Sequence, residues 1–173
     1  IMKLFKCIIL AIFLININIL HAEIPYLLNF KFVLNESVAG KKAQEFLKNK
    51  LNNGLKKLKD QEAKLQEEEK KIIQQKKLIT PEEYKKKVKD LRSKVSSLQK
   101  ERNNLLESVS KERTKARNEL LKNLNPILKD YMKEKNIRMV VDKKSILIAD
   151  EKLDITKEII KILNEKLKSI KLN

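Results

Sequence analysis

The segment Leu78-Ile79-Thr80-Pro81-Glu82-Glu83-Tyr84 decides the architecture of this chain. Thr80 is placed to cap a helix N-terminus through its hydroxyl, and Pro81 falls at the first helical position, where its missing N–H costs nothing. Glu83 stands at the third position, which completes a capping box. A helix therefore starts at Pro81, and the chain must turn just before it, with the tip near 78–81.

Upstream, Leu51, Leu58, Leu65, Ile72 and Ile79 recur at a strict spacing of seven, one seam position of a coiled coil. The second seam position is weak. Leu47 and Leu55 flank its start, but Glu62, Glu69 and Lys76 follow at the offset of four. The first helix, roughly Gly40 to Leu78, thus carries a narrow apolar stripe. Gly54 inside it costs about 1 kcal/mol relative to Ala and reads as tolerance on an exposed face of an arm that can bend. Downstream, Tyr84, Val88, Leu91, Val95, Leu98, Arg102, Leu105, Val109, Glu112 and Ala116 alternate steps of four and three, with Arg102 and Glu112 as polar interruptions. Beyond Ala116 the steps become fours, through Leu120, Leu124 and Leu128, which points to a different packing partner. So few residues separate the two seams that the helices must fold back on each other. At about 1.5 Å per residue, roughly 40 residues make an arm near 60 Å long.

The composition agrees. The 173 residues include only two glycines and three prolines, and 36% are charged, with a formal net charge of +17. Between Lys41 and Lys135 there are 28 Lys and Arg against 15 Asp and Glu, a net of +13, so most of the excess charge lies on the arm. Lys85, Lys86, Lys87 and Lys89 cluster beside the tip and are candidates for attracting anionic partners at range. The same charge also keeps arms soluble and apart.

At the extreme N-terminus Lys3 and Lys6 precede an apolar run from Cys7 to Leu20, and Leu20-His21-Ala22 closes it. This layout predicts a signal peptide over 1–22, cleaved between Ala22 and Glu23. The run of about 14 residues is short of the roughly 20 that span a bilayer. Cleavage removes the only cysteine, Cys7, and the only histidine, His21. The remaining chain then has no thiol, imidazole or Cys/His metal set, so no catalytic, cofactor or metal residues are assigned. Two glycines leave no phosphate-binding Gly-rich loop. The expectation is a protein that is not an enzyme and needs no cofactor.

The two ends outside the arm form the rest. Tyr26-Leu27-Leu28 reads as a short strand, and Asn29 caps a short helix through Leu34. Together they make residues 23–39 the first part of a body, with the arm over 40–125. Residues 126–173 complete it: Asn136 suits a left-handed helix end, and Ile137 to Val141 and Ile146 to Ala149 read as a β-hairpin around Asp142-Lys143-Lys144-Ser145. Asp154-Ile155-Thr156 leads into a last helix with Ile159, Ile160, Leu163 and Leu167 at helical spacing. Leu27, Leu28, Val33, Val140, Val141, Ile146, Ile148 and Ile155 are the candidate core of the body or of an oligomer. Three short strands bury little alone, so self-association is the physical expectation. The fold class is α+β, mostly helical, with a long antiparallel coiled-coil hairpin inserted into a small β body.

At this point the sequence resembles the Skp/OmpH family of periplasmic chaperones. Val33-Leu34-Asn35-Glu36-Ser37-Val38-Ala39-Gly40-Lys41-Lys42-Ala43 is similar to that family's V-L-N-E-S-P-A-G-K-K-A segment. Val140-Val141-Asp142-Lys143 and Ile148-Ala149-Asp150 resemble its second block, and Asp154-Ile155-Thr156 with Leu163-Asn164 its ending. Val38 departs from the usual proline, Asn29 from a frequent Asp, and Pro25 precedes the core of the first strand. The resemblance implies a homotrimer whose three arms surround a cavity. It also implies an ATP-independent holdase that keeps unfolded outer-membrane β-barrel proteins from aggregating in the periplasm. On that reading the seam residues pack the hairpin rather than touch clients. Two other classes fit parts of the sequence. An envelope adaptor binding anionic lipid or a lipopolysaccharide surface needs only the arm and leaves the body unexplained. A nucleic-acid binder fits the charge, but export, interleaved acids and the lack of a reading motif argue against specific nucleic acid.

Overall fold

The structure, a computed structural model, describes residues 24–172. The leader segment and the cleavage point expected before Glu23 lie outside them. Strand β1 (Tyr26–Leu28) is followed by helix α1 (Phe30–Glu36), and then by the long helices α2 (Val38–Gln75) and α3 (Pro81–Glu134). Strand β2 (Val140–Asp142), two single 3-10 turns (Lys143–Ser145 and Glu151–Leu153) and helix α4 (Thr156–Lys166) complete the chain.

The caps explain the boundaries. Thr80 Oγ1 accepts from Glu83 N at 3.2 Å and the Glu83 carboxylate accepts from Thr80 N at 3.2 Å, the reciprocal capping box. Asn29 caps α1 by accepting from Phe32 N at 3.0 Å. Asn136, at φ 54°, ends α3 in the left-handed conformation, and Ile137 N reaches back to the Met132 carbonyl at 2.8 Å. The first arm helix stops at Gln75, not Leu78, and residues 76–80 make the turn. Pro126 lies inside α3 without ending it. An interior proline costs about 3 kcal/mol, and here buried Leu124 and Ile127 hold the helix against the body on either side of it.

The body core is one cluster: Leu28, Val33, Leu124, Ile127, Ile155, Ile159 and Leu163. It joins β1, α1, the end of α3 and α4, so the change to steps of four beyond Ala116 does mark a new partner. Leu120 still faces the base of α2, whereas Leu124 and Leu128 face the body.

The expected β-hairpin does not form. β1 pairs with β2 in parallel, Tyr26 opposite Val140 and Leu28 opposite Asp142. Its other edge takes Asp154, again in parallel, with Ile155 N donating to the Leu27 carbonyl at 3.0 Å. With β1 in the middle and both neighbours running its way, the chain between them must cross over rather than return antiparallel. Two Asp residues shape that crossover. Asp142 Oδ1 accepts from Lys144 N at 3.1 Å and Asp150 Oδ1 from Lys152 N at 2.9 Å, winding each stretch into a 3-10 turn. Residues 146–149 therefore form a loop, and Ile146 and Ile148 are exposed instead of buried.

Candidate functional site

The hairpin places two helical ribbons side by side, and their seam is unevenly filled. Leu58, Ile72, Val109 and Ala116 are buried. Leu51, Leu65, Ile79, Tyr84, Val88, Leu91, Leu98 and Leu105 are half-buried. Val95, predicted for the seam, is 51% exposed. The cause is visible in the opposite helix: Glu62 and Glu69 occupy the positions that would cover it. Together with Leu65, Leu91, Leu98 and Arg102 they line an open groove of about 470 Å³ midway along the arm. A larger groove of about 830 Å³ lies at the arm base, with Leu34, Leu47, Leu51, Val109 and Leu120 as apolar wall and Lys48, Arg113 and Arg117 among its lining.

The polar interruptions face one another. Arg102 Nη2 lies 3.6 Å from Glu62 Oε2, Lys94 Nζ lies 2.6 Å from Glu68 Oε1, and Gln61 Nε2 donates to Glu101 Oε2 at 3.3 Å. Such exposed pairs are worth about 0–1 kcal/mol each, so they set register more than they stabilise. Gly54 is half-buried and turned toward α3, where a Cβ would come within 2.5 Å of the Leu105 side chain. It is a close-approach position, not an exposed tolerance.

At the tip, Lys85, Lys86, Lys87 and Lys89 are exposed on the first turns of α3. Lys87 Nζ donates to Gln75 Oε1 at 3.1 Å across the hairpin, and Lys76 Nζ sits 5.7 Å from the centre of the Tyr84 ring. Hydrogen bonding to Lys70 and its positive charge hold the Glu67 carboxyl below its usual range, and Lys111 does the same for Glu107. Carboxylates on the arm are thus partners of lysines. Among the described residues no His/Cys/Asp/Glu group could hold a metal ion.

The arm is fixed to the body by the segments that carry the sequence resemblance. Ser37 is fully buried, and its hydroxyl accepts from Gly40 N at 3.2 Å to cap α2. A Cβ on Gly40 would stand 1.8 Å from the Leu34 carbonyl oxygen, so only glycine fits. Val38 N donates to Asn164 Oδ1 at 2.7 Å, joining the first of those segments to the last over 126 residues of sequence. On the other side of the body, Thr156 Oγ1 accepts from Asn29 N at 2.8 Å and donates to Asp154 Oδ1. Lys143 Nζ lies 2.5 Å from Asp154 Oδ2. Burial lifts the Asp154 carboxyl, but the hydrogen bonds from Lys143 and Thr156 outweigh it and hold the group below its ordinary value.

Of the body residues expected from sequence, Leu27, Leu28, Val33 and Ile155 are buried and Val140 and Val141 half-buried. Leu124 and Ile127 complete the body core; the step change beyond Ala116 points to Leu124, whereas Ile127 lies off those steps of four. Leu78 is an exposed apolar residue at the tip that the seven-residue repeat, which runs through Ile79, does not single out.

The model of the family described as outer membrane protein (OmpH-like) matches residues 26–163, from β1 into α4. No curated protein matches the chain. A crystal structure of a Caulobacter crescentus protein, described as an outer membrane chaperone (OmpH-like), aligns with a TM-score of 0.81 at 18% identity. The alignment covers 87% of this chain and 90% of that one. At that identity the likeness carries the fold alone.

Proposed function

This chain belongs to the OmpH-like outer membrane protein family, and on that premise we propose that it is a periplasmic holdase chaperone for unfolded outer-membrane proteins. The observation that carries the reading is the arm. It is long, has a net charge of +12 over 40–125, and is under-packed along its seam, with open grooves at its middle and base. A positive arm raises the local concentration of acidic unfolded chains, an effect screened beyond about 8–10 Å at ordinary ionic strength. The grooves add apolar contacts that are individually weak and spread along the arm. Many weak contacts slow aggregation without a unique recognition site. They also release the client without nucleotide, in keeping with a chain that has no Gly-rich phosphate loop.

The body, from residues 23–39 and 126–173, is proposed to join three copies around a cavity bounded by arms 40–125. Support comes from its unfinished surface. Met139, Ile146, Leu147 and Ile148 are exposed on a single protomer. Apolar side chains left exposed in this way favour association. Export through the leader segment, cut before Glu23, would deliver the chain to the periplasm.

The test is a refolding assay. The chain beginning at Glu23 is mixed with a denatured outer-membrane β-barrel protein at one trimer per client, without nucleotide. The client is expected to stay soluble, with protection weakening as salt rises. If aggregation runs unchanged at low and moderate salt, the holdase reading is wrong. A stable monomer in sedimentation would remove the cavity.

A further inference from the structure

Helix α4 leads into a short tail at the base of the arm. Leu167 N donates to the Leu163 carbonyl at 2.8 Å to close the helix, and the Leu167 side chain packs on the body core. Residues 168–172 then run on without helix or strand, beyond the stretch 26–163 that the family model matches. The hydrogen bond from Val38 N to Asn164 Oδ1 pins the end of α4 beside the first turn of α2, so the tail emerges against that helix. Ile170, Lys171 and Leu172 face Lys42, Ala43 and Phe46 across a cleft of about 410 Å³.

The tail fits this place poorly. Ile170 and Leu172 are only half-buried, and Phe46 keeps 39% of its surface exposed. No hydrogen bond or ion pair among the described residues ties 168–172 to α2. Lys41 has Glu36 at 2.8 Å. Lys42 and Lys171 pair with no acid among the described residues, and they line the same cleft with like charge. Fixing one residue's backbone costs about what half-burying an apolar side chain returns, so five residues seated by two such side chains are weakly held. The spacing is informative nonetheless. Apolar side chains two residues apart are what an extended chain offers to one surface. An acid between them, in place of Lys171, would turn repulsion by Lys42 into attraction.

We infer that the Phe46 face of α2 is a binding surface for extended polypeptide of the pattern apolar, acid, apolar, and that Ile170 to Leu172 cover it until such a segment displaces them. The inference rests on the holdase reading for the source of that segment, an unfolded client, and gives the reading a defined contact at the arm base. The tail is tethered within a few residues of its site. Its effective concentration there is millimolar, enough to compete with a free segment despite the weak seat. A client binds the fraction of molecules whose tail is off, so its apparent affinity is set partly by the tail.

The sequence contains no tryptophan, so Phe46→Trp in the chain beginning at Glu23 gives a single fluorescent reporter. Its emission is expected to move to the red when Ile170→Ser and Leu172→Ser are added, as water reaches the ring. Two synthetic peptides serve as probes, one with the sequence of residues 167–173 and one differing from it by Lys171→Asp. Both are expected to return the emission of the loosened chain toward the blue. The acidic peptide is expected to bind about fivefold more tightly at low salt, and Lys42→Gln to abolish that preference. With Ile170 and Leu172 restored in the chain, both peptides are expected to bind about tenfold more weakly. None of the changed residues belongs to the closed body core, so helix content by circular dichroism should be the same throughout. Unchanged emission on loosening the tail overturns the cover, and equal binding of the two peptides at low salt overturns the assigned partner. The refolding assay reads the holdase function separately. A chain that binds the acidic peptide yet protects no client keeps this surface and loses the chaperone reading.

Discussion

In the body, Val33, Ile159 and Leu163 have no exposed surface, whereas along the arm the seam alternates buried Leu58 and Ile72 with half-buried Leu51 and Leu65. The residue types are the same; the number of neighbours differs. A side chain in the body is enclosed by α1, α3, α4 and β1 together. A seam residue on a two-helix ribbon meets one facing helix and open solvent on both flanks. Burial, and with it the hydrophobic stabilisation of roughly 25 cal/mol per Å² of apolar surface, is therefore greater for each body residue. The body holds position, and the arm is left able to bend and accept contacts.

The largest test of this contrast is a pair of truncations. Leu163→Ala should cost about 4 kcal/mol, because a closed core cannot collapse onto the cavity. Leu58→Ala should cost about 2 kcal/mol, the low end for such changes, since water or a shift of the facing helix can relieve it. Urea unfolding followed by circular dichroism measures both. Equal costs would break the comparison.

Next come the two glycines. Gly40→Ala drives a Cβ against a fixed backbone carbonyl and should cost about 3 kcal/mol. Gly54→Ala meets only the end of the Leu105 side chain, which can turn away, and gains helix propensity of about 1 kcal/mol. Its melting temperature should stay close to that of the parent. A large loss at Gly54 would show that the arm is packed as tightly as the body.

Filling the arm should sharpen the contrast from the other side. Glu69→Leu puts an apolar side chain into the groove beside Leu65, Leu91 and Val95. A gain of about 1 kcal/mol is expected, with weaker protection of clients if the groove is a contact surface. Thermal unfolding and the refolding assay read the two effects separately.

The smallest effect is acid sensitivity, and it belongs to the body. The Asp154 carboxyl is held below its ordinary value in the folded protein. Its contribution is complete above the unfolded value of about 3.9 and is lost as pH falls through the lower folded value. Urea midpoints taken from about pH 6 to about pH 2 should fall less steeply at the acid end for Asp154→Asn than for the parent. Removing the exposed arm pairs Glu67–Lys70 and Glu107–Lys111 should alter the profile less, because solvent screens them.

Several features were legible from residues alone because their causes lie within a few positions. The Thr80 capping box, the Asn29 cap and the left-handed Asn136 need only neighbouring backbone groups. The seven-residue repeat from Leu51 to Ile79 and the step change after Ala116 report which face of a helix is covered. The candidate surface was half legible. The lysine cluster at Lys85 to Lys89 is plain in the sequence, but the exposure of Leu78 depends on how sharply the turn closes. The groove beside Val95 depends on Glu62 and Glu69 arriving opposite it from the other helix.

What the sequence determined unaided is the long hairpin, its turn, its charge and its insertion between two short body segments. These follow from periodicity and capping, which are local. What only the tertiary structure decided is how the body closes. Residues 137–149 have the composition of a hairpin, and nothing nearby in sequence forbids one. β1, more than 100 residues away, takes the central position and pairs in parallel on both edges, which forces a crossover and puts Ile146 and Ile148 on the outside. Strand pairing is settled by whichever partner fills the most hydrogen bonds, and that partner came from the other end of the chain.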